Sequence, residues 1–235
     1  MGVFKRPHHR QIAFILGNLN GPLLKEHGCL FGGGTAIALR YGEYRESVDV
    51  DFLVSDVPKY RNLRQMLTEG GIAAIAREGA VPLEQTREIR ADQYGIRTML
   101  QGIDSQIKFE IILEGRIALD SPGAEDEICG IATLSPLDMA ASKLLANSDR
   151  WNEDGVFNRD IIDLAMMNPT LKLLGSAIAK SEAAYGEAIR RDLGKAIDRL
   201  KGREGWLDRC MQSMAMDMPK AVLWSQIRRL RRALE

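Results

Sequence analysis

Two aspartates separated by one valine are the residues of this sequence best suited to chemistry. Asp49 and Asp51 lie within the apolar segment 48–54, although aspartate is disfavoured in strands. Side chains alternate along a strand, so we expect both carboxylates on one face. Like charges this close repel unless a cation neutralises them, and a hard divalent cation does so best. The pair predicts a metal site, and the alternative is the solvated edge of an amphipathic strand.

A glycine-rich turn precedes the two aspartates. Gly32, Gly33 and Gly34 follow a short apolar run, and Thr35 can cap the helix that comes next. Glycines allow backbone N–H groups to approach a phosphate closely, and a helix start favours negative charge. The turn is neither a P-loop nor a dinucleotide fingerprint, because its glycines are spaced differently and no Gly-Lys-Ser/Thr follows. It predicts a phosphate cradle, and the alternative is an ordinary strand-to-helix turn.

Three further charged residues could take part in the same chemistry. Glu110 can act as a third metal ligand and accept a proton if its strand pairs beside the aspartate strand; otherwise it is a surface glutamate opposite Lys108. Lys143 lies on an apolar helix, where it can extend to solvent or bind a triphosphate. Asp160 follows Lys143 by 17 residues. It faces a neighbouring helix together with Asp163, or it forms a solvated pair with Arg159.

The surrounding elements predict two domains. Apolar spacing predicts a helix over 8–26 that could be interrupted at Gly21-Pro22, and strands over much of 72–119, with a hairpin of 94–101 and 106–113. Ser135-Pro136 predicts the start of a helix that ends near Arg150. Further helices are expected over 158–167, 171–201, 204–216 and 219–235. We therefore expect an α/β or α+β catalytic domain over 1–133 and an all-helical domain over 134–235.

The composition excludes several classes of protein. The net charge is zero, so any RNA binding must come from local basic patches. No apolar run reaches the roughly 20 residues of a membrane span, and no signal-peptide core follows the basic start. Three widely spaced cysteines favour free thiols in a reducing compartment. These features predict a cytoplasmic protein without a membrane segment.

Two ordered blocks resemble the nucleotidyltransferase AbiEii/AbiGii toxin family. The first is GGTAIALRYGEYRESVDVDF, close to the family pattern GGTAL-x-L-x-YG…R-x-S-x-D-hydrophobic-D. The second is LSPLDMAASKLLANSDRWNEDGVFNRDIIDLAMM, which resembles the later family motifs: A-x-K-L, an arginine, then R/K-D-x-x-D-L. The blocks span residues 28–167, and the chain beyond them is supported only as helical.

The resemblance implies a polymerase β-like nucleotidyltransferase domain with a mixed sheet, followed by helices that complete the nucleotide site. It implies Mg²⁺ (or Mn²⁺) held by Asp49 and Asp51, and an NTP whose nucleotide is transferred with release of pyrophosphate. Glu110 matches the third-carboxylate position loosely, because aspartate is commoner there. The remaining implied residues are nucleotide-binding Gly33, Gly34, Thr35, Ser47 and Lys143, with Asp160 as the functional carboxylate of the later block.

The acceptor is less determined than the donor. The resemblance implies a toxin that acts on tRNA or another RNA and is restrained by a cognate antitoxin. Four arginines near the end of the chain could follow an RNA backbone, or they form the solvated face of a terminal helix: Arg228, Arg229, Arg231 and Arg232. Two other possibilities stay open: nucleotidylation of a small molecule or protein, and a catalytically quiet nucleotide-binding module.

Overall fold

The chain divides into two compact units in the computed structural model, which describes residues 4–234. The first unit comprises the described residues up to Glu43 together with Ser47–Ser135. The second comprises Tyr44–Glu46 and the described residues from Pro136 onward. Apart from the Tyr44–Glu46 segment, the two units meet along the chain between Ser135 and Pro136.

The first unit combines helices with a mixed sheet. Its helices are α1 (Pro7–Gly17), α2 (Gly21–Glu26), α3 (Gly33–Arg40) and α4 (Val57–Gly70), followed by a 3₁₀ turn over Gly71–Ile75. Its strands are β1 (Leu30–Phe31), β2 (Val50–Val54), β3 (Arg90–Ala91), β4 (Gly95–Gln101), β5 (Gln106–Leu113), β6 (Glu127–Ile128) and β7 (Ile131–Ala132).

Five of these strands form one sheet in the order β1-β2-β5-β4-β3. β2 pairs in parallel with β5, while the other neighbours are antiparallel. Phe31, Phe52 and Phe109 lie buried on one face, with ring centroids 5.7 and 5.6 Å apart. Because side chains alternate along a strand, Asp51 and Glu110 belong to the opposite face. The apolar face anchors the sheet and leaves its other face available for polar groups.

The second unit contains only helices within the described residues. These are α5 (Pro136–Arg150), α6 (Arg159–Met166), α7 (Leu171–Tyr185), α8 (Ala188–Gly202), α9 (Trp206–Ser213) and α10 (Lys220–Leu230), with 3₁₀ turns over Asp154–Val156 and Arg231–Ala233. α5 packs against α6, α7 and α8. Its buried Ala140, Ala141 and Leu144 place the charged Lys143 on a helix that is surrounded by its neighbours.

Many predicted elements are confirmed. The helix expected over 8–26 is interrupted, and its second part begins at Gly21, where the interruption was expected. The aspartate strand begins at Val50, two residues later than expected. The expectation of strands over 72–119 is wrong for much of that stretch: only Arg90–Ala91, Gly95–Gln101 and Gln106–Leu113 are strands, and a 3₁₀ turn covers Gly71–Ile75. The predicted helix over 171–201 is interrupted at Gly186, whose φ of +58° is unfavourable for other residues.

The three cysteines are free thiols, as expected from their wide spacing. No helix among the described residues is both long and apolar enough to cross a membrane.

Candidate active site

The glycine turn between β1 and α3 is fitted closely to β2. The N–H of Gly32 donates to the carbonyl oxygen of Asp51 at 2.8 Å. Gly33 begins α3 with a φ of +67°, and a Cβ placed on it would lie 2.5 Å from Asp51 Oδ2. Only glycine satisfies both the left-handed conformation and this approach. The turn thus brings backbone N–H groups of a helix start directly beside a carboxylate.

Asp49 and Asp51 lie at the start of β2, an inner strand of the sheet. Asp49 immediately precedes the strand and Asp51 is its second residue; both side chains are half-buried. Asp51 is not at a sheet edge, because β2 lies between β1 and β5.

The donor chemistry of this pair fits Mg²⁺ or Mn²⁺. Magnesium is often bound through only one or two carboxylates, with substrate phosphates and water completing its octahedron. Within residues 4–234 no group of three or more His, Cys, Asp or Glu side chains is arranged to hold a metal. A pair of carboxylates suits a cation whose remaining ligands come from a nucleotide and water.

Thr35 and Ser47 are joined by a hydrogen bond of 2.7 Å between their hydroxyl oxygens. The N–H of Ser47 donates to Nε2 of the buried His9 at 3.3 Å, and His9 Nδ1 lies 2.8 Å from Glu43 Oε1. Nε2 accepts in this arrangement, so Nδ1 carries the proton donated to Glu43. Sequence reasoning missed His9 and Glu43, and no local pattern connects His9 with a serine 38 residues away.

Glu110 lies beside Asp51, as required for a third ligand. The two residues are direct partners in the parallel pairing of β2 with β5, so their side chains share a face. However, Glu110 Oε1 accepts from Arg97 Nε at 2.8 Å, and Oε2 is bound by Lys108 Nζ. The carboxylate is thus adjacent to the aspartates but held by two cations of its own unit, and its role as a metal ligand stays a prediction.

Lys143 and Asp160 form the centre of a buried ionic network in the second unit. Lys143 Nζ lies 3.0 Å from Asp160 Oδ1 and 2.8 Å from Asp163 Oδ2. Arg150 binds Asp160 through two N–H groups, at 2.7 and 3.0 Å. All three residues of the Lys143–Asp160–Asp163 group are buried. The lysine does not extend to solvent, and Asp160 is not a solvated partner of Arg159.

The segment Tyr44–Glu46 is bound to this network. Arg45 donates to both oxygens of Asp163, at 2.6 and 2.9 Å, and the Tyr44 hydroxyl donates to Oδ1 at 2.6 Å. The sequence indicated Asp163 by its position one helical turn after Asp160 but did not indicate Arg45 as its partner. The residues that immediately precede Ser47 in the first sequence block are therefore held by the second block.

Electrostatics within the network keep the carboxylates ionised. Burial by itself raises the pKa of Asp163, but the charges and hydrogen bonds of Arg45 and Lys143 outweigh it and hold the pKa well below its ordinary value. The pKa of Asp160 is also lowered: burial opposes this, and the charge of Lys143 and the contact with Arg150 prevail.

A comparison with protein families shows which family this chain belongs to. The model described as nucleotidyl transferase AbiEii toxin, type IV toxin–antitoxin system, matches residues 19–233. The chain belongs to the AbiEii family. The match includes the glycine turn, the aspartate pair, Glu110 and the Lys143–Asp160 network, so the resemblance of the two sequence blocks is confirmed over most of the chain. The AbiEii family is one of nucleotidyltransferases, and its type implies an antitoxin partner and an NTP substrate.

Solved structures support the same fold for this AbiEii member. A candidate nucleotidyltransferase from H. pylori is 18% identical with a TM-score of 0.52, covering 97% of this chain and 94% of its own. JHP933 from Helicobacter pylori is 18% identical with a TM-score of 0.51, covering 97% of this chain and 91% of its own. Comparison with curated proteins finds no match. The mixed α/β fold expected from the sequence is therefore confirmed.

Proposed function

We propose that this protein uses Mg²⁺ or Mn²⁺ to transfer a nucleotide from an NTP to a hydroxyl of an RNA, with tRNA as the leading acceptor. The observation that carries the proposal is the close approach of Gly33 to Asp51, which sets the start of a helix beside the carboxylate of Asp51. Phosphate oxygens and a divalent cation need those two kinds of group side by side. Membership of a toxin–antitoxin family supports a cognate antitoxin as the restraint.

Different residues of the first unit would bind the cation and the triphosphate. Asp49 and Asp51 would hold the cation, which when bound polarises the α-phosphate and neutralises the departing pyrophosphate. The N–H groups of Gly33 and Gly34 would bind triphosphate oxygens. Ser47 would donate its hydroxyl to the same phosphates, and Thr35 fixes that hydroxyl through their 2.7 Å hydrogen bond. Most of the rate enhancement then comes from positioning and charge.

Lys143 would bind a phosphate, and Asp160 would orient its ammonium group. An ammonium group has three N–H donors, and two of those of Lys143 are directed at Asp160 and Asp163. The third would bind a phosphate oxygen. Asp160 would fix the direction of the ammonium, a role that fits its buried position between Lys143 and Arg150.

The acceptor is proposed to be RNA because of a basic groove in the second unit. The groove, about 830 Å³ in volume, is lined by seven cationic residues and Glu204, and three of the cations are paired with aspartates (Arg203–Asp154, Lys220–Asp208 and Arg231–Asp198). Its walls include Trp224, whose ring offers a surface on which a base can stack. A repeating polyanion with exposed bases matches this combination better than a small molecule does.

The test is to incubate the purified protein with labelled NTPs, Mg²⁺ and total RNA. We expect label on RNA, lost on adding EDTA and absent from the Asp49→Ala/Asp51→Ala variant. Asp104→Ala, which removes an exposed aspartate in the β4–β5 turn, is the matched control and should label RNA normally. Label that appears on protein or a small molecule instead would refute the RNA acceptor, and no aspartate-dependent label would favour a quiet nucleotide-binding module.

A further inference from the structure

Four charged residues form a single row across the polar face of the sheet. Asp51 of β2 is paired with Glu110 of β5, Glu110 with Arg97 of β4, and Arg97 with Arg90 of β3. Directly paired residues of neighbouring strands point to the same face. The row therefore runs from two carboxylates at the proposed catalytic strand to two guanidinium groups at the far edge of the sheet.

The positive end of this row borders a groove of about 520 Å³. Four cationic side chains line it, with Glu88 as the one acidic side chain: Arg87, Arg90, Arg97 and Lys108. The groove lies entirely within the first unit, so its distance from Asp51 is set by strand pairing alone. With about 4.8 Å between strands, Arg97 lies roughly 10 Å and Arg90 roughly 14 Å from Asp51 along the row.

The positive charges of the groove are only partly compensated. Arg97 and Lys108 both bind Glu110, and Arg97 also pairs with Asp92 at 3.4 Å. Arg87 and Arg90 are exposed, and neither has an ion-pair partner within residues 4–234. Arg90 also lies directly opposite Arg97, and like charges in directly paired positions destabilise a sheet. A bound anion would relieve this repulsion, which points to a ligand rather than to a purely structural role.

We propose that this groove binds the phosphate backbone of the acceptor RNA and directs its reacting hydroxyl toward Asp51. The proposal rests on the proposed function, since it places the acceptor of that reaction. A single phosphate would engage one or two guanidinium groups, whereas cations on three neighbouring strands and on the loop before β3 match a repeated negative charge. The guanidinium groups attract the phosphates of the backbone, whereas the aspartates would be occupied by the cation and the NTP, so the backbone lies over the arginines and its hydroxyl extends toward Asp51.

The proposal is tested by binding, without any reaction. A fluorescent single-stranded RNA oligonucleotide is titrated with the full-length protein and with Arg87→Glu/Arg90→Glu, and anisotropy is recorded at several salt concentrations. We expect at least tenfold weaker binding for the variant. The slope of log K against log salt should also be smaller in magnitude for the variant by about 1.4, because two phosphate contacts on a single strand are lost.

Matched variants separate this effect from charge and folding. Arg61→Glu/Lys172→Glu changes the net charge equally at two exposed sites outside the groove and should bind within twofold of wild type. Arg87→Lys/Arg90→Lys should retain most of the affinity, and the circular dichroism of all variants should match wild type. Equal affinity of Arg87→Glu/Arg90→Glu and wild type for the oligonucleotide would overturn the proposal. The proposal would also be overturned if inorganic phosphate displaced the oligonucleotide as effectively as unlabelled RNA at the same concentration of phosphate groups.

The outcome is independent of the transfer reaction. Asp49→Ala/Asp51→Ala should keep its RNA affinity, because these residues contribute no positive charge. If RNA binds through the arginines but is never labelled, the proposed transfer fails while the groove assignment stands.

Discussion

At the scale of single residues, Gly33 combines a conformational and a steric requirement. Its φ is +67°, and the missing side chain leaves the space occupied by Asp51 Oδ2. We expect Gly33→Ala to displace the carboxylate and to lower nucleotidyl transfer by about 100-fold, the effect typical of a misplacement near 1 Å. Transfer is measured from pyrophosphate release with NTP and Mg²⁺.

Gly42 provides the control for this substitution. It also has a positive φ, +88°, but no atom lies within 4 Å of the position its Cβ would take. Gly42→Ala should therefore carry the backbone strain of about 1–3 kcal/mol and leave transfer nearly normal. If both variants lose activity equally, strain rather than the contact with Asp51 is responsible.

At the scale of elements, Asp163 joins α6 to α5 and to the Tyr44–Glu46 segment. It is fully buried and binds Arg45 and Lys143. We expect Asp163→Asn to lower the free energy of unfolding by about 3–5 kcal/mol, because it leaves buried cations uncompensated. Urea denaturation measures this as a lower midpoint with an unchanged m-value.

The exposed ion pair of Asp208 with Lys220 is the matched comparison in the same unit. Asp208→Asn should change stability by less than about 1 kcal/mol. A similar small change for Asp163→Asn would show that the buried network adds nothing to the packing of these helices.

The same network determines a pH dependence. The pKa values of Asp163 and Asp160 are depressed in the folded protein, so their stabilisation is complete above the unfolded value near 4 and is lost as the pH falls toward the folded values. We expect the free energy of unfolding to decline below about pH 4, and less steeply in Asp163→Asn. Parallel curves for the two proteins would contradict this assignment.

At the scale of the whole molecule, a net charge of zero means that RNA binding depends on local patches. Arg228 and Arg232 line the basic groove of the second unit, are exposed, and have no ion-pair partner among the described residues. Arg228→Glu/Arg232→Glu should lower RNA labelling several-fold at low salt, with a smaller difference at high salt. Unchanged labelling would show that the groove is only structural.

The sequence by itself determined the local chemistry of this protein. The aspartate pair, the glycine turn and the hairpin of β4 and β5 follow from side-chain alternation and turn residues, which act over a few positions. The roles of Lys143 and Asp160 came from the resemblance of the second sequence block to the family motifs. These features were sufficient to indicate the family.

Only the tertiary structure decided which distant residues meet. The parallel pairing of β2 with β5 sets Glu110 beside Asp51 and continues the row to Arg97 and Arg90. Strand order and register depend on contacts between segments far apart in sequence, which no local propensity encodes. His9 beneath Ser47 and Arg45 on Asp163 are decided in the same way. Local sequence patterns thus indicated the reacting groups, whereas contacts between distant segments determine which charged residues surround them.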